Sequence, residues 1–436
     1  MKSLLIEFLG CKVNSYEVEA VAKTFLDNGY HFFDEETETS PDVIIVNTCA
    51  VTQTSIVKDK KVIKKYRKAY ANAVIVVMGC YAQYKAEYIK DTLGADIVLG
   101  TSNRMKTFDL VDDFLHNHKK ITLHEESNDI RTYESMQIDK SYLTTRAYVK
   151  IQDGCNNFCS YCLIPYVRGR SRSRKKEEIV LEINNLVNNG HKEVVLTGVD
   201  MSSYGLDLSD KTTFSDLLEY ILDNCGGLQS LRISSLEESL LDEKFLFLLK
   251  TRPTLSNHLH IPLQSGSESV VKRMNRKYNL TEFKNKVKLI RSIREDIAIT
   301  TDVIVGFPGE TEDNFNETYK SCEEINFSKI HVFPYSDREG TVASKMKDKI
   351  DPQIKKERVH KLLELSTKLE EEYCNKFYGQ TINFLIEEYD DKLKAYKGHS
   401  SNYLHAFVSS DKDIRNTVVP IKYSKENKLD FWQCQK

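Results

Sequence analysis

The sequence predicts an α/β protein in three parts: an N-terminal domain on a parallel sheet, a partial (β/α)6 barrel, and a small C-terminal antiparallel β-barrel. Three observations carry this. Short β-branched runs alternate with longer amphipathic segments over most of the 436 residues, the pattern of parallel strands joined by helical crossovers. One polar stretch, 116–142, interrupts the alternation and reads as a linker between domains at 1–115 and 143–370. Beyond it, within the last domain at 371–436, the apolar runs become short and alternating, as in antiparallel strands.

In the first domain, residues 4–9, 43–46, 74–78 and 97–99 read as strands. The first three each lead into a cysteine: Gly10-Cys11, Thr48-Cys49 and Gly79-Cys80. Ligands of open parallel sheets bind at the carboxyl ends of the strands, so neighbouring strands would gather these distant thiols at one edge. They read either as a cluster site or as three small buried hydrophobes. Between the second and third strands, residues 57–70 form a helix with Lys58, Lys60, Lys61, Lys64, Lys65, Arg67 and Lys68 against one acid, Asp59. Such a helix is either a solvated face or a patch that meets phosphates.

In the second domain a strand at 148–151 runs into Cys155, Cys159 and Cys162, spaced Cys-x3-Cys-x2-Cys. Zinc ligands usually come as two separated pairs. A [4Fe-4S] cluster normally takes four thiolates, so three leave one iron open to chemistry. A basic loop follows at 165–176, where Arg168, Arg170, Arg172, Arg174, Lys175 and Lys176 are expected to hold phosphate or a carboxylate by forked hydrogen bonds, or to be solvated. Further strands at 193–196, 231–234, 258–263, 297–305 and 329–333 bring the total to six. Active sites of such barrels lie at the strands' carboxyl ends. Thr197, Gly198, Ser234, Gln264 and Gly306 stand there and read either as cofactor contacts, with glycine allowing close backbone approach, or as ordinary turns.

A long charged helix at 353–377 leads out of the barrel. Runs at 381–386 and 416–421 then form the terminal barrel, which reads either as an RNA-binding module, with Lys392, Lys394, Tyr396, Lys397, His399 and Tyr403 as candidates, or as a plain packing or interface module. Cys225, Cys322, Cys374 and Cys434 are scattered and read as structural.

With 62 basic and 64 acidic residues, net charge is -2, so any nucleic-acid surface must be local. The N-terminus has no cleavage-site pattern, and no apolar run approaches the roughly 20 residues that span a bilayer. Ten cysteines without an export signal fit a reducing compartment. A cytoplasmic protein without a membrane partner is expected.

Cys155, Cys159 and Cys162, with Tyr161 just before the third cysteine, resemble the radical S-adenosylmethionine signature. The resemblance implies an S-adenosylmethionine chelated at the open iron and cleaved to a deoxyadenosyl radical, with Tyr161 among the cofactor contacts. The superfamily's Gly-Gly-Glu pattern is replaced here by Thr197-Gly198-Val199-Asp200. Leu9-Gly10-Cys11-Lys12-Val13-Asn14, Val46-Asn47-Thr48-Cys49-Ala50-Val51-Thr52, Gly79-Cys80-Tyr81-Ala82-Gln83 and the run from Asp302 to Thr311 are similar to the methylthiotransferase family, along essentially the whole chain. That family ends in a barrel of the TRAM type.

Within the family, Cys-Lys-Val-Asn and Asn-Thr-Cys-Ala-Val-Thr resemble the branch acting on N6-threonylcarbamoyladenosine beside a tRNA anticodon. Sister branches act on isopentenyl-adenosine or on a ribosomal-protein aspartate. The resemblance implies two [4Fe-4S] clusters, one on Cys11, Cys49 and Cys80 and one on Cys155, Cys159 and Cys162. It also implies two S-adenosylmethionines, transfer of a methylthio group to adenine C2, and no catalytic acid or base. Arg168, Arg170 and Arg172 are the expected RNA contacts, flavodoxin or ferredoxin the electron donor, and a monomer the expected state. Other readings are a radical methyltransferase whose N-terminal cysteines are structural, and an RNA-binding or iron-storage module without turnover.

Overall fold

The protein is described here by a computed structural model covering residues 1–430; Cys434 lies outside the described residues. Its N-terminal sheet holds β1 (Ser3–Phe8), β2 (His31–Phe32), β3 (Val43–Thr48), β4 (Val74–Gly79), β5 (Ile97–Leu99) and β6 (Ile121–Leu123), all parallel, in the order β2-β1-β3-β4-β5-β6. Every residue of β3 and β4 is buried, because helices cover both faces, and this is why both read as continuous apolar runs. Helix α1 (Lys12–Asp27) follows β1, α2 (Gln53–Ala69) follows β3, and α3 (Cys80–Tyr84) follows β4.

The polar stretch 116–142 is not a free linker. It contributes β6 to the sheet, and Met136 and Ile138 are buried in the core of the second domain. Met136 O accepts the Tyr16 hydroxyl at 2.6 Å, and Ile138 N–H donates to Glu182 at 2.6 Å. Charged residues on the segment's outer side conceal these few anchors.

Six parallel strands form the open barrel. They are β7 (Ala147–Lys150), β10 (Glu193–Thr197), β11 (Ser230–Ile233), β12 (His258–His260), β13 (Ala298–Val305) and β14 (Lys329–Pro334). A short antiparallel pair, β8 (Gln152–Asp153) and β9 (Arg172–Ser173), frames the three-cysteine loop. Two three-stranded sheets, β7-β10-β11 and β12-β13-β14, meet through parallel bridges at Leu231–Leu255 and Ser235–His260. Strong caps start the outer helices: Thr213 with Asp216, and Thr311 with Asn314, form capping boxes. The loop after β14 reaches the first domain, where Ser336 Oγ accepts Gln53 N–H at 3.2 Å and Arg338 donates to Ala50 O.

The last element of the barrel region is a helix, Pro352–Asn375. It leads to a four-stranded antiparallel sheet of β15 (Thr381–Asp390), β16 (Ala395–Ser400), β17 (His405–Val408) and β18 (Val418–Lys422), ordered β17-β16-β15-β18. The chain after β18 turns back so that Lys428 bridges Ala406. This sheet docks on the barrel end where strands begin: Arg232 donates to Ser400 O and Ser401 O, and Arg146 Nε lies 2.7 Å from Glu387.

Candidate functional site

Each N-terminal cysteine stands where a strand gives way to a turn or helix. Cys11 is the N-cap of α1, Cys49 follows β3, and Cys80 opens α3. Cys49 and Cys80 are buried while Cys11 is exposed. Gly79 fixes the last turn with φ 101°; a Cβ there would lie 2.3 Å from Asn47 Oδ1 and 2.6 Å from Thr48 O, so only glycine fits. Burial, then Cys80 and Cys11, pushes the Cys49 thiol up to about 12. Burial likewise pushes Cys80 up to about 11, with the Arg168 guanidinium opposing and Cys11 adding to the shift. The three thiols that the sequence separates are thus electrostatic neighbours.

The second trio lies on the loop after β7. Gly154, with φ 75°, lets the chain pass so close to β9's approach that a Cβ would sit 2.0 Å from Arg170 O. Cys155 is buried beside Asp200, whose Oδ2 accepts from Asn157 Nδ2 at 3.1 Å and lies 3.5 Å from Cys155 Sγ. Burial, then Asp200, raises the Cys155 thiol well above its ordinary range. Burial, then Cys159, pushes Cys162 up to about 12, and Cys80 of the other trio is near enough to add to that shift. The two trios are tied across the domain boundary by Arg168, which follows Cys162 by six residues and donates from Nε to Cys80 Sγ at 3.1 Å.

Among the described residues, no three His, Cys, Asp or Glu side chains converge tightly enough to share one metal ion. The surroundings fit thiolate sulfur. Val51 N–H donates to Cys49 Sγ and Asn157 N–H to Cys155 Sγ, each at 3.4 Å, and Arg168 Nε–H donates to Cys80 Sγ at 3.1 Å. Donors aimed at sulfur favour its anionic form.

Behind the trios lies a buried charge network that the sequence did not reveal. Arg104, Lys150 and Arg168 contact Glu17, and all three also reach Asp153, as does Arg172. Glu134 joins Arg104 at 2.9 Å. Burial alone would raise the Glu17 carboxyl, but Arg104, Arg168 and Lys150 hold it far below the usual range. Four cations face three carboxylates, and the surplus positive charge adjoins Cys80.

This network corrects the expected RNA contacts. Arg168 and Arg172 are fully buried and committed to internal partners, so neither can meet phosphate. Arg174 is likewise buried against Glu182. Arg170 is exposed, its guanidinium 4.6 Å from the centre of the Phe158 ring. In the C-terminal sheet, His399 is buried between Glu193 and Glu387, Lys397 pairs with Glu388 and Asp390, and Tyr403 stacks on His258, which removes all three from the RNA candidates. Tyr396 is also buried, whereas Lys392 and Lys394 are exposed. On α2, Lys58, Lys61, Lys64, Lys65 and Lys68 are exposed and unpaired by carboxylates among the described residues. The helix's one acid, Asp59, is buried and accepts Cys49 N–H at 3.2 Å.

Except for Tyr161, which lies in the three-cysteine loop, the expected cofactor residues end or follow barrel strands. Thr197 ends β10 and Gly198 follows it, Ser234 follows β11, Gln264 bridges to Val303 of β13, and Gly306 follows β13. Tyr161 packs against the apolar group of Val270, Met274 and Phe307. The Val199 and Asp200 N–H groups donate to Gln152 Oε1 at 3.0 and 2.8 Å, which fixes the turn where the Gly-Gly-Glu pattern is missing. Beside Cys159 a polar cavity of about 160 Å3 opens, lined by Ser202, Glu237, Glu238, Asn275, Arg276 and Lys277 among others. Of these, Arg276 is paired with Glu237 and lies 3.9 Å from Cys159 Sγ. None of the expected contacts lines it. Arg276 and Glu237 carry no motif: Arg276 lies between the helices Glu268–Arg273 and Leu280–Ile293, and Glu237 in the loop after β11. Cys225, Cys322 and Cys374 are buried elsewhere.

Comparison with known proteins agrees with this arrangement. The Radical SAM superfamily matches residues 149–322, and the uncharacterized protein family UPF0004 matches residues 3–100. The threonylcarbamoyladenosine tRNA methylthiotransferase MtaB of Bacillus subtilis is 39% identical, over 98% of this chain and 94% of that protein. The enzyme of the same name from Thermotoga maritima is 36% identical over 94% and 92%. A tRNA-2-methylthio-N(6)-dimethylallyladenosine synthase of Clostridium tetani is 34% identical over 97% and 94%. Among solved structures, the radical S-adenosylmethionine methyltransferase TsrM of Kitasatospora setae, with cobalamin and a [4Fe-4S] cluster bound, gives a TM-score of 0.57 at 14% identity, covering 77% of this chain and 75% of that one; the likeness is one of fold. An identity of this extent, along nearly the full length of both chains, places the protein in the radical S-adenosylmethionine methylthiotransferase family, as an enzyme that methylthiolates tRNA and belongs with a [4Fe-4S] cluster and S-adenosylmethionine.

Proposed function

We propose that the enzyme methylthiolates adenine C2 of N6-threonylcarbamoyladenosine beside the tRNA anticodon, using two [4Fe-4S] clusters. The observation that carries the reading is the link between two cysteine trios: Arg168, six residues after Cys162, donates to Cys80 Sγ at 3.1 Å. The substrate branch is supported by the names of the Bacillus subtilis and Thermotoga maritima relatives. When bound, such a pair of clusters supplies the electron that cleaves S-adenosylmethionine and the soft site from which sulfur is delivered.

Cys155, Cys159 and Cys162 would hold one cluster, and Cys11, Cys49 and Cys80 the other. The chain's other residues position and shield. Asp200 and Gln152 brace the loop at Cys155, and Arg276 and Glu237 form a charged wall at Cys159. That wall can orient the amino and carboxylate groups of a bound methionine moiety by forked hydrogen bonds. Arg170, Lys58, Lys61, Lys64, Lys65 and Lys68 of α2, and Lys392 and Lys394 are among the exposed cations that can meet the RNA backbone. The C-terminal sheet is read as a TRAM-type RNA module, and the protein as a cytoplasmic monomer reduced by flavodoxin or ferredoxin.

Two measurements test the reading. Anaerobically reconstituted protein should hold about eight irons per chain, two clusters' worth; about four would sink the two-cluster reading. Nucleosides of tRNA from cells lacking the protein should lose the methylthio form of threonylcarbamoyladenosine. Loss of the methylthio-isopentenyl form instead would move the enzyme to the sister branch.

A further inference from the structure

Arg168 occupies an unusual position. It follows the short helix Ile164–Val167, six residues beyond Cys162, yet its side chain turns into the first domain. All five of its N–H groups are committed. Nε donates to Cys80 Sγ at 3.1 Å; Nη1 donates to Glu17 Oε1 at 2.8 Å and Asp153 Oδ1 at 2.9 Å; Nη2 donates to Glu17 Oε2 and Asn14 Oδ1, each at 3.1 Å. Each partner is tied to a cysteine ligand. Asn14 and Glu17 lie on α1, which Cys11 caps, and Asp153 lies two residues before Cys155. A single rigid fork thus touches one trio directly and braces the backbone that carries the other.

We propose that Arg168 is a positioning residue that fixes the spacing of the two cysteine trios and, through its Nε–H bond to Cys80 Sγ, raises the reduction potential of the N-terminal cluster. The inference rests on the reading that Cys11, Cys49 and Cys80 hold that cluster. The physical reason is that an N–H aimed at a ligand sulfur stabilises the more negative, reduced cluster more than the oxidised one. Arginine is required because the task is planar and five-fold. A lysine keeps the charge but offers three donors on a point, so it can satisfy the carboxylates or the sulfur but not both.

The test is an EPR-monitored redox titration of the reconstituted holoenzyme as wild type, Arg168→Lys and Arg104→Lys. Arg104 shares Glu17 and Asp153 with Arg168 but touches no cysteine, so it controls for loosening of the charge network. The expected result is a lower midpoint for one cluster in Arg168→Lys only, with both midpoints unmoved in Arg104→Lys. Unmoved midpoints in Arg168→Lys, or an equal shift in Arg104→Lys, would overturn the proposal. Should Arg168→Lys not fold, the test passes to holoenzyme labelled with 15N-arginine and carrying Arg276→Lys, which removes the guanidinium near Cys159. A 15N coupling on the reduced N-terminal cluster is expected there, and its absence overturns the proposal. Wild type holding about four irons would instead defeat the underlying reading, and so the two failures are distinguishable.

Discussion

His399 of the C-terminal sheet lies 3.1 Å from Glu193, the first residue of barrel strand β10, and 3.0 Å from Glu387 of its own sheet. The contact with Glu193 is buried and that with Glu387 partly so. This imidazole is the polar hinge pin between the two units. Burial by itself would lower its pKa, but Glu387 and Glu193 outweigh that and hold it above the ordinary histidine value.

A pH dependence follows. A histidine whose folded pKa is raised contributes stability that is complete below the unfolded value of about 6.5 and is lost as pH rises through the folded value. Other groups nearby titrate too: Tyr403, held down to about 8 despite burial by Arg146, Lys12 and Arg232, and His405, which burial and His399 lower to about 3. The prediction is therefore stated as a difference. His399→Gln should destabilise the protein by about 3 kcal/mol at pH 6, since it breaks a buried pair, and the gap from wild type should narrow above pH 7. Thermal melts across that range check it, and a pH-independent gap would refute the assignment.

The two trios should separate functionally. Replacing Cys11, Cys49 and Cys80 together by alanine should halve bound iron and leave deoxyadenosine formation measurable while methylthiolated tRNA disappears. Any one of Cys155→Ala, Cys159→Ala or Cys162→Ala should abolish deoxyadenosine formation itself. Iron assay, chromatography of deoxyadenosine and nucleoside mass spectrometry give the three readouts. Methylthiolated product from the triple variant would return the N-terminal cysteines to a structural role.

Gly79→Ala tests how tightly the first trio is placed. The new Cβ would meet Asn47 and the Thr48 carbonyl at a backbone angle only glycine adopts readily. A cost of about 1–3 kcal/mol is expected, together with loss of the N-terminal cluster's iron while the second cluster is kept. Unchanged iron would mean that the turn can relax without moving Cys80.

For RNA, each lost phosphate contact should lower the slope of log affinity against log salt by about 0.7 to 0.9. Arg170→Ala and the combined change of Lys58, Lys61, Lys65 and Lys68 to glutamine should each flatten the slope without changing thermal stability. Arg172→Ala should behave oppositely, lowering stability, because that guanidinium holds the carbonyls of Arg168 and Arg170. Filter binding to tRNA at several salt concentrations, beside melts, distinguishes them. A slope unchanged by the lysine variant would make α2 a solvated face.

Strand by strand, the parallel sheets were legible because a strand buried on both faces must be an unbroken apolar run, as β3 and β4 are. The grouping of the candidate cysteines was legible too, since Cys155, Cys159 and Cys162 lie on one loop and the other three recur after successive strands. Ligand identity and spacing are local properties of the chain. The fate of the basic loop was not local. Arg168, Arg170 and Arg172 alternate in sequence as one cationic run, yet Glu17 and Asp153 draw the first and third inward and leave the second in water. Glu17 stands 151 residues away from Arg168. Sequence by itself determined which groups could bind metal or phosphate. Only the tertiary structure decided which charges were cancelled by a partner from another domain, because a buried cation requires a nearby carboxylate and nothing in the local chain says where that carboxylate will be.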